Sequence, residues 1–597
     1  MELHYNKNNN TALFLDFENS NLVNVRCPQS YIPIYNNFFS LNNTNYNHIN
    51  LNQKYSLFRI TEKKSENKYV SQVKQSGSDD KTINKEVFFK FSPLFDPIKF
   101  MIGKYDGESD FLNLPEIDKK HKHDKLDDPN NAAYVDSFFT YLTSQLLNCY
   151  DFIHGVDFYG SFLGIKRDYL INVADDIDYL LESSYFNNNN NVCKHDITFT
   201  LDNDYLLHDS NNNSRSNKGK LQLTDTLPDE TVLNLSDISD IKEFDTIFTK
   251  TEDVKPSNEK LDLMFECKNI TTTKTTASSS SCSSRTSNTN TEDSNSESGS
   301  ECSNSEGSSC KSYSGSSCSS GASGSSYSSM SSMESDEEIF IHMSEFPVQM
   351  IALENCDETL DNLLTKKHFE DGEWDSMVIQ VIMMLIAYQN VFDLTHNDLH
   401  TNNIMYVTTD KQFLNYRLDG KYYKVPTYGR IYKIIDFGRA IYRFRGKLLC
   451  SDSFHPKGDA ATQYNFEPYM NPKKPLLEPN KSFDLCRLGC SLFDFIVQEL
   501  EDDDVIQDIM DIKKIPFSIK KIILEWCDDD KGRNIIYKNN GEERYPEFKL
   551  YKMIARTVNK HTPHNVIKYP YFEKYIVSKK KINGKKFMDL DKLPSLK

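Results

Sequence analysis

Residues 396–403, His396-Asn397-Asp398-Leu399-His400-Thr401-Asn402-Asn403, and residues 434–438, Ile434-Ile435-Asp436-Phe437-Gly438, decide the reading of this 597-residue chain. The first is an H-x-D-x-x-x-x-N pattern, and the second is apolar strand text ending in D-F-G. Asp398 can accept a hydroxyl proton. Asn403 and Asp436 carry hard oxygen atoms of the kind Mg²⁺ prefers. Phosphoryl transfer needs both things: an acceptor for the attacking hydroxyl, and ligands for the cation that neutralises the phosphate oxygens. Either motif alone is a modest signal. Both in this order, with an apolar helix before and another after, are a strong one; the alternative is an Asx-rich turn between two strands.

The flanking text supports the framework. Trp374, Met377, Val378, Val381, Met384, Leu385 and Tyr388 give an apolar helical face over 373–391, with Asp375 in the first turn where the helix dipole favours a carboxylate. Ile404 to Val407 and Tyr432 to Ile435 read as strands, with a loop or hairpin over 408–430. Ser482 to Gln498 is apolar on most faces, so a buried helix is expected.

Further upstream, Tyr55 to Ile60, Tyr69 to Val73 and Val87 to Phe91 are aromatic, β-branched segments of strand type. Lys90 lies inside the third. A lysine in an apolar strand is costly unless it is paired or faces a cleft, and the bland reading is the solvent face of an edge strand. Val135, Phe138, Phe139, Leu142, Leu146 and Leu147 recur at helical spacing over 130–154. Residues 156–186 are strand-like and then mixed. Pro347 to Leu353 reads as a buried strand followed by Glu354-Asn355-Cys356.

Composition bounds the rest. Hydrophobic residues are 38% and the formal net charge is -18. Such a balance argues against non-specific nucleic-acid binding, which rests on Lys and Arg, and against an anionic membrane surface. No apolar run reaches the ~20 residues of a membrane span, and the start of the chain lacks the apolar core of a secretory signal. The thirteen cysteines show no C-x-x-C pair and read as free thiols of a reducing compartment. Cys486 and Cys490 sit four apart and read as core packing. Residues 1–50 are Asn-rich with interleaved aromatics. Residues 187–335 run from an Asn tract to a Ser-dominated tract with sprinkled acids (Glu292, Asp293, Glu297, Glu301, Glu306), too poor in apolar side chains to offset the entropy of ordering. We read a largely disordered insertion, with a short helix over Val232 to Phe248. The Lys-rich end (Lys579, Lys580, Lys581, Lys585, Lys586) reads as a solvated tail.

HNDLHTNNIMY, KIIDFGRAIY, SFDLCRLGCSLFDF and VFFKFSPLFDP together resemble the eukaryotic-type serine/threonine protein kinases, most of all the divergent kinases of giant DNA viruses of the mimivirus type. The resemblance covers about 85–105, 130–165 and 345–570. It implies an α+β, bilobal protein-kinase-like fold. An N-terminal extension over 1–50 would precede a β-rich small lobe over 51–353, interrupted by the insertion, and a mainly helical large lobe over 354–597. ATP and Mg²⁺ are the implied cofactors and protein hydroxyls the substrate. Asp398 would be the catalytic base, and Asn403 and Asp436 the magnesium ligands. Lys90 would anchor phosphate, with Asp136, or as a weaker candidate Gln145, in place of the usual helix glutamate. Leu353 and Glu354 would lie at the adenine-binding hinge, and His396 and Asp484 would organise the loop.

Three departures stand out. Asn397 replaces the usual Arg, so activity without phosphorylation of the activation segment is expected. His400 replaces the usual Lys beside the transferred phosphate, a pattern shared with haspin-like, aminoglycoside and choline kinases, so a small-molecule phosphotransferase is one alternative. Thr61 to Lys68, where a phosphate-covering glycine loop belongs, holds no glycine, which leaves a pseudokinase scaffold as another. Asp436 onward lacks a recognisable A-P-E end. The Ser-rich tract reads either as an inert spacer or as a target of autophosphorylation. The resemblance places the protein in the cytoplasm, of a host cell if viral, or in a virion, with protein partners and no nucleic acid or membrane.

Overall fold

The computed structural model describes residues 2–76, 81–105, 111–121, 123–174, 176–201, 339–502, 514–546, 548–582 and 585–597. All of them belong to one of the chain's two structural units; the other, residues 206–278, lies outside the described residues. The helix expected over Val232 to Phe248 and the Ser-rich tract therefore also lie outside them.

The first part is a sheet. Strands β1 (Val25–Gln29), β2 (Tyr55–Lys63), β3 (Lys68–Gln75), β4 (Thr82–Pro93), β5 (Phe158–Asn172), β6 (Phe199–Leu201) and β7 (Phe340–Glu354) form it in the order β1-β5-β7-β4-β3-β2, with β6 beside β7. Every pairing is antiparallel. Side chains alternate faces along a strand. Val87 and Phe89 of β4 enter a core with Phe17, Tyr69 and Met350, so Lys90, in register with Ile351, faces the other way.

On that other face lies helix α2 (Ala132–Tyr150), preceded in the chain by α1 (Thr11–Glu18). Asn131 caps α2 by accepting from Ala133 N, and Asp151 ends it in the left-handed region at φ +57°. Buried residues run without a break from Ala133 to Leu146. The N-terminal extension is built into this part. Strand β1 closes one sheet edge, Phe38 stacks on Phe138 of α2 at 4.8 Å, and Asp16 pairs with Arg59 at 2.6 Å.

Two sequence boundaries move. The expected insertion opens at 187, yet helix Ser184–Asn189 runs across that point and β6 pairs with Ile341–Met343. The hydrophobic Phe186, Ile197, Phe199 and Leu201 explain this, since all four are buried. The Lys-rich end has exposed lysines, but its backbone is docked: Ile576–Val577 and Met588–Asp589 are edge strands of a sheet with Phe413–Leu418 and Lys421–Pro426, and Leu590 is buried.

The second part is mainly helical: α3 (Leu360–Lys366), α4 (Asp371–Phe392), α5 (Phe483–Asp502), α6 (Ile519–Glu525) and α7 (Phe548–Thr557). Helix α4 is long and apolar enough to cross a membrane, against the expectation that no run is, but 94% of its most apolar window is buried within the protein. It opens with a Glu370/Glu373 capping box and closes at Asp393 in the left-handed region, which turns the chain into Thr395 and His396. Gly489 lets α5 lie against α6; a Cβ there would sit 3.1 Å from the Trp526 Cβ and 3.2 Å from the Ile523 carbonyl. The described cysteines are all free.

Candidate functional site

The 396–403 loop is fixed from below. Buried Asp484, in the first turn of α5, accepts from His396 N at 3.0 Å and Asn397 N at 2.9 Å. His396 Nε2 donates to the Ile435 carbonyl (2.9 Å), and its Nδ1 accepts from Asp398 N (3.3 Å), a neutral tautomer assigned from this network. One imidazole thus ties the loop to the strand that ends in Asp436. The antiparallel pair Ile404–Thr408 and Arg430–Ile434 carries the two motifs side by side.

Asp436 sits at φ +62°, a left-handed position that turns its carboxylate back toward the sheet. Lys90 Nζ donates to Asp136 Oδ2 at 2.7 Å and lies 2.8 Å from Asp436 Oδ1. Asp136 Oδ1 accepts from Phe437 N at 2.8 Å. Burial works against charge on Lys90, but the two carboxylates outweigh it and hold the ammonium above the usual lysine range. Burial pushes Asp436 up, and Lys90 more than reverses this, so Asp436 lies at about 2. Its side chain is 44% exposed, which leaves Oδ2 toward solvent.

Asp398 is treated differently. Tyr551 of α7 donates its hydroxyl to Asp398 Oδ1 at 2.8 Å, and Arg487 Nε donates to that hydroxyl at 2.9 Å. Arg439 Nε lies 3.8 Å from Asp398 Oδ2, and the Tyr551 ring lies beneath both guanidiniums. Burial opposes ionisation, but Arg439, Arg487 and the Tyr551 hydroxyl outweigh it, so Asp398 stays below the usual carboxylate range.

Asn403 donates its amide to the Asp398 carbonyl at 2.9 Å and meets His400 Nε2 at 3.1 Å. Burial lowers His400 to about 4 despite the pull of Asp398, so the ring is neutral at pH 7. It therefore does not supply the fixed positive charge of a lysine; it orients Asn403. With Nε2 accepting, the proton is on Nδ1, which is buried with no hydrogen-bond partner among the described residues.

Leu353 and Glu354 end β7. Leu353 faces Phe88 and Phe158 across the ladder, and Glu354 N donates to the Asp157 carbonyl at 2.9 Å. The Glu354 carboxylate pairs with Lys433, whose Nζ also donates to the Gly155 carbonyl. What Glu354 offers a ligand is thus neither its N–H nor a free carboxylate.

The donor set suits a metal-bound polyphosphate. Asn403 Oδ1 and Asp436 Oδ2 are oxygens with no protein hydrogen bond among the described residues, while His400 Nδ1 and Arg439 Nη1 are buried donors without a partner there. Among the described residues no group of three or more His, Cys, Asp or Glu side chains is gathered to hold a metal. The turn joining β2 and β3 closes with Lys64 N and Ser65 N both donating to the Lys68 carbonyl.

The structure therefore brings together Lys90, Asp136 and Asp436, and separately Asp398, His400 and Asn403. Sequence reasoning missed Tyr551, Arg439 and Arg487. Arg439 directly follows D-F-G and Arg487 lies in the α5 text, but nothing in the chain marks Tyr551. Together the fold and site define a mixed α+β protein with a lysine-bridged carboxylate pair beside a buried Asp/Asn loop. No protein-family model matches the chain, and no curated protein matches it.

Proposed function

We infer that the chain is an ATP- and Mg²⁺-dependent serine/threonine protein kinase, with the bilobal fold of that family. The observation that carries this reading is the convergence of Lys90, Asp136 and Asp436 from three remote segments onto one ion-paired cluster. A lysine on the third strand of a meander, a helix carboxylate and the D-F-G aspartate are the parts that phosphoryl transfer requires.

ATP supplies the transferable phosphoryl group, and Mg²⁺ neutralises its oxygens. Asn403 and Asp436 would hold the cation through their free side-chain oxygens. Lys90, fixed by Asp136, presents its ammonium to phosphate oxygens. Asp398, kept ionised by Arg439, Arg487 and the Tyr551 hydroxyl, orients the acceptor hydroxyl and takes its proton. His400 Nδ1 and Arg439 Nη1 are the further donors for developing charge.

Purified protein incubated with radiolabelled ATP, Mg²⁺ and generic acidic and basic protein substrates tests this, with Asp436→Asn beside it. Label on serine or threonine that vanishes in the variant is expected. Label on a small alcohol but never on protein would replace the reading with a small-molecule phosphotransferase. No label, and no thermal shift with ATP and Mg²⁺, would leave a scaffold.

A further inference from the structure

Helix α7 delivers Tyr551 to Asp398 and carries Lys552 and Arg556 on the adjoining stripe, four residues apart and hence on one face. Neither cation meets a carboxylate among the described residues. Arg556 Nη1 donates to the Lys552 carbonyl at 2.7 Å and Nη2 to the Thr462 carbonyl at 2.8 Å. The Lys552 ammonium lies over the Phe548 ring. Burial, then repulsion from Arg556 and Lys474, hold Lys552 below the usual lysine range, and the Arg556 bond to Thr462 ties this helix to the segment that leads into the Lys474 loop. Lys474 and its neighbour Lys473 are exposed on a loop that Asn465 pins by donating to the Lys474 and Pro475 carbonyls.

Several cations elsewhere in the helical part are met by acids: Arg430 with Glu373, Lys574 with Asp375, Arg533 with Asp529. Here a like-charged group shares the helix that carries Tyr551 to the candidate base, in a chain with a net charge of -18. Such a patch selects partners by complementary charge and rejects those of like charge. Arg439, which meets both Asp398 and the Tyr551 ring, adds a buried Nη1 with no partner among the described residues.

Resting on the kinase reading of the same site, we propose that Lys474, Lys552 and Arg556 form the peptide-docking surface and that the protein substrate is an acidic one, with Asp, Glu or phosphoserine flanking the acceptor serine. Carboxylates of the peptide relieve the repulsion among the three cations while the serine hydroxyl reaches Asp398. The chain itself contains such text at Thr291-Glu292-Asp293-Ser294-Asn295-Ser296-Glu297.

The test uses full-length protein and three serine peptides: one with the 291–297 sequence, one with its acids changed to Gln, and one with them changed to Lys. Phosphorylation is measured by label incorporation, and binding of the same peptides with Ser changed to Ala by fluorescence anisotropy. We expect the acidic peptide to be preferred over the Gln peptide by about tenfold in kcat/KM, given the modest worth of each exposed charge pair. The preference should shrink as salt rises from about 50 to 300 mM, as screening requires. The double variant Lys474→Glu/Lys552→Glu should invert the order of the acidic and Lys peptides. Equal use of the three peptides, or an unchanged order in the double variant, overturns the surface and leaves the kinase reading standing. Absence of phosphorylation with acidic-peptide binding that the double variant loses supports the surface and removes the kinase reading. Absence of both overturns the surface too.

Discussion

Two carboxylates close together in the chain, Asp436 and Asp398, are held in opposite ways. Asp436 is bridged to the sheet by a single lysine that Asp136 shares, and its side chain is 44% exposed. Asp398 is 10% exposed and is enclosed by a tyrosine hydroxyl and two guanidiniums from the helical part. Both are ionised below the ordinary range, Asp436 chiefly through Lys90 and Asp398 chiefly through Arg439. Charge state is therefore not what separates them. An open carboxylate with a spare oxygen can take a cation from solution, and an enclosed one holds a fixed direction for a proton. The contrast divides the labour expected of metal ligand and base.

The largest effect should come from removing the enclosed charge. Asp398→Asn keeps shape but takes from Arg439 the nearer of its carboxylates, leaving the weaker pull of Asp459. Label incorporation should fall by roughly 10²–10⁴-fold, the usual contribution of a positioned base. Denaturant unfolding should also show a loss of about 2–4 kcal/mol, because a buried cation loses its partner. Asp436→Asn leaves Lys90 with Asp136 and faces solvent, so it should cost less stability. Equal stability losses in the two variants would erase the distinction.

Asp136→Ala tests the shared lysine. It frees Lys90 to follow Asp436 alone and leaves the Phe437 N–H without its acceptor. A displacement of Lys90 by about an ångström is enough for roughly a 10²-fold fall in rate. Asp136→Glu should recover part of it, since a longer carboxylate can still reach the ammonium. A rate unchanged by Asp136→Ala would show that the ion pair is structural only.

Tyr551→Phe probes the enclosure more gently. The ring remains against the guanidiniums, and only the hydroxyl donor to Asp398 is lost. A hydrogen bond to a charged group contributes about 1.5–3 kcal/mol, so kcat should fall about tenfold or more. The sign of the pH effect is fixed. Losing a donor to the carboxylate raises the Asp398 pKa, so activity that needs the ionised form fails at a higher pH on the acid side. A fall in kcat with an unmoved acid limb would mean that the hydroxyl acts on the substrate and not through Asp398.

The motifs were legible because their chemistry is local. His396, Asp398, Asn403 and Asp436 stand within one hairpin's reach, and Lys90 betrayed itself as a charge in aromatic strand text. Asp136 was legible only as the sole acid within the apolar pattern of its helix. Tyr551, by contrast, lies 153 positions from Asp398 on a helix whose pattern says only that one face is buried. Contacts of that span are set by how α5, α6 and α7 pack, and periodicity does not encode them. The same reason explains the docked Lys-rich end, where Met588 and Leu590 carry too little apolar text to announce burial. It also explains the packed residues 184–201, where a few aromatics among asparagines suffice because β7 offers a ladder to join.

The smallest expected effect concerns the segment after Asp436. In place of the usual arginine, Asn397 is buried at φ +67°, donates to the Arg439 carbonyl at 3.0 Å and accepts from the Tyr464 hydroxyl at 2.6 Å. No charged side chain is left at that position to bind a phosphate. The segment is instead held by carboxylates it already carries. Asp452 accepts from Lys125 Nζ at 2.6 Å and from Ala132 N, in the first turn of α2, at 2.9 Å. Asp459 accepts from Lys99 Nζ at 2.5 Å. An anion at a helix start, paired with a lysine, does what a phosphate would do there, and it does so permanently. A phosphate added at Ser451 or Ser453 would meet Asp452 and repel it. Phosphatase treatment should therefore change the rate less than about twofold, while Asp452→Asn, which weakens the anchor of the helix bearing Asp136, should lower it several-fold. Abolition of activity by the phosphatase would mean that this segment is switched by modification and that the Asp452 contacts are incidental.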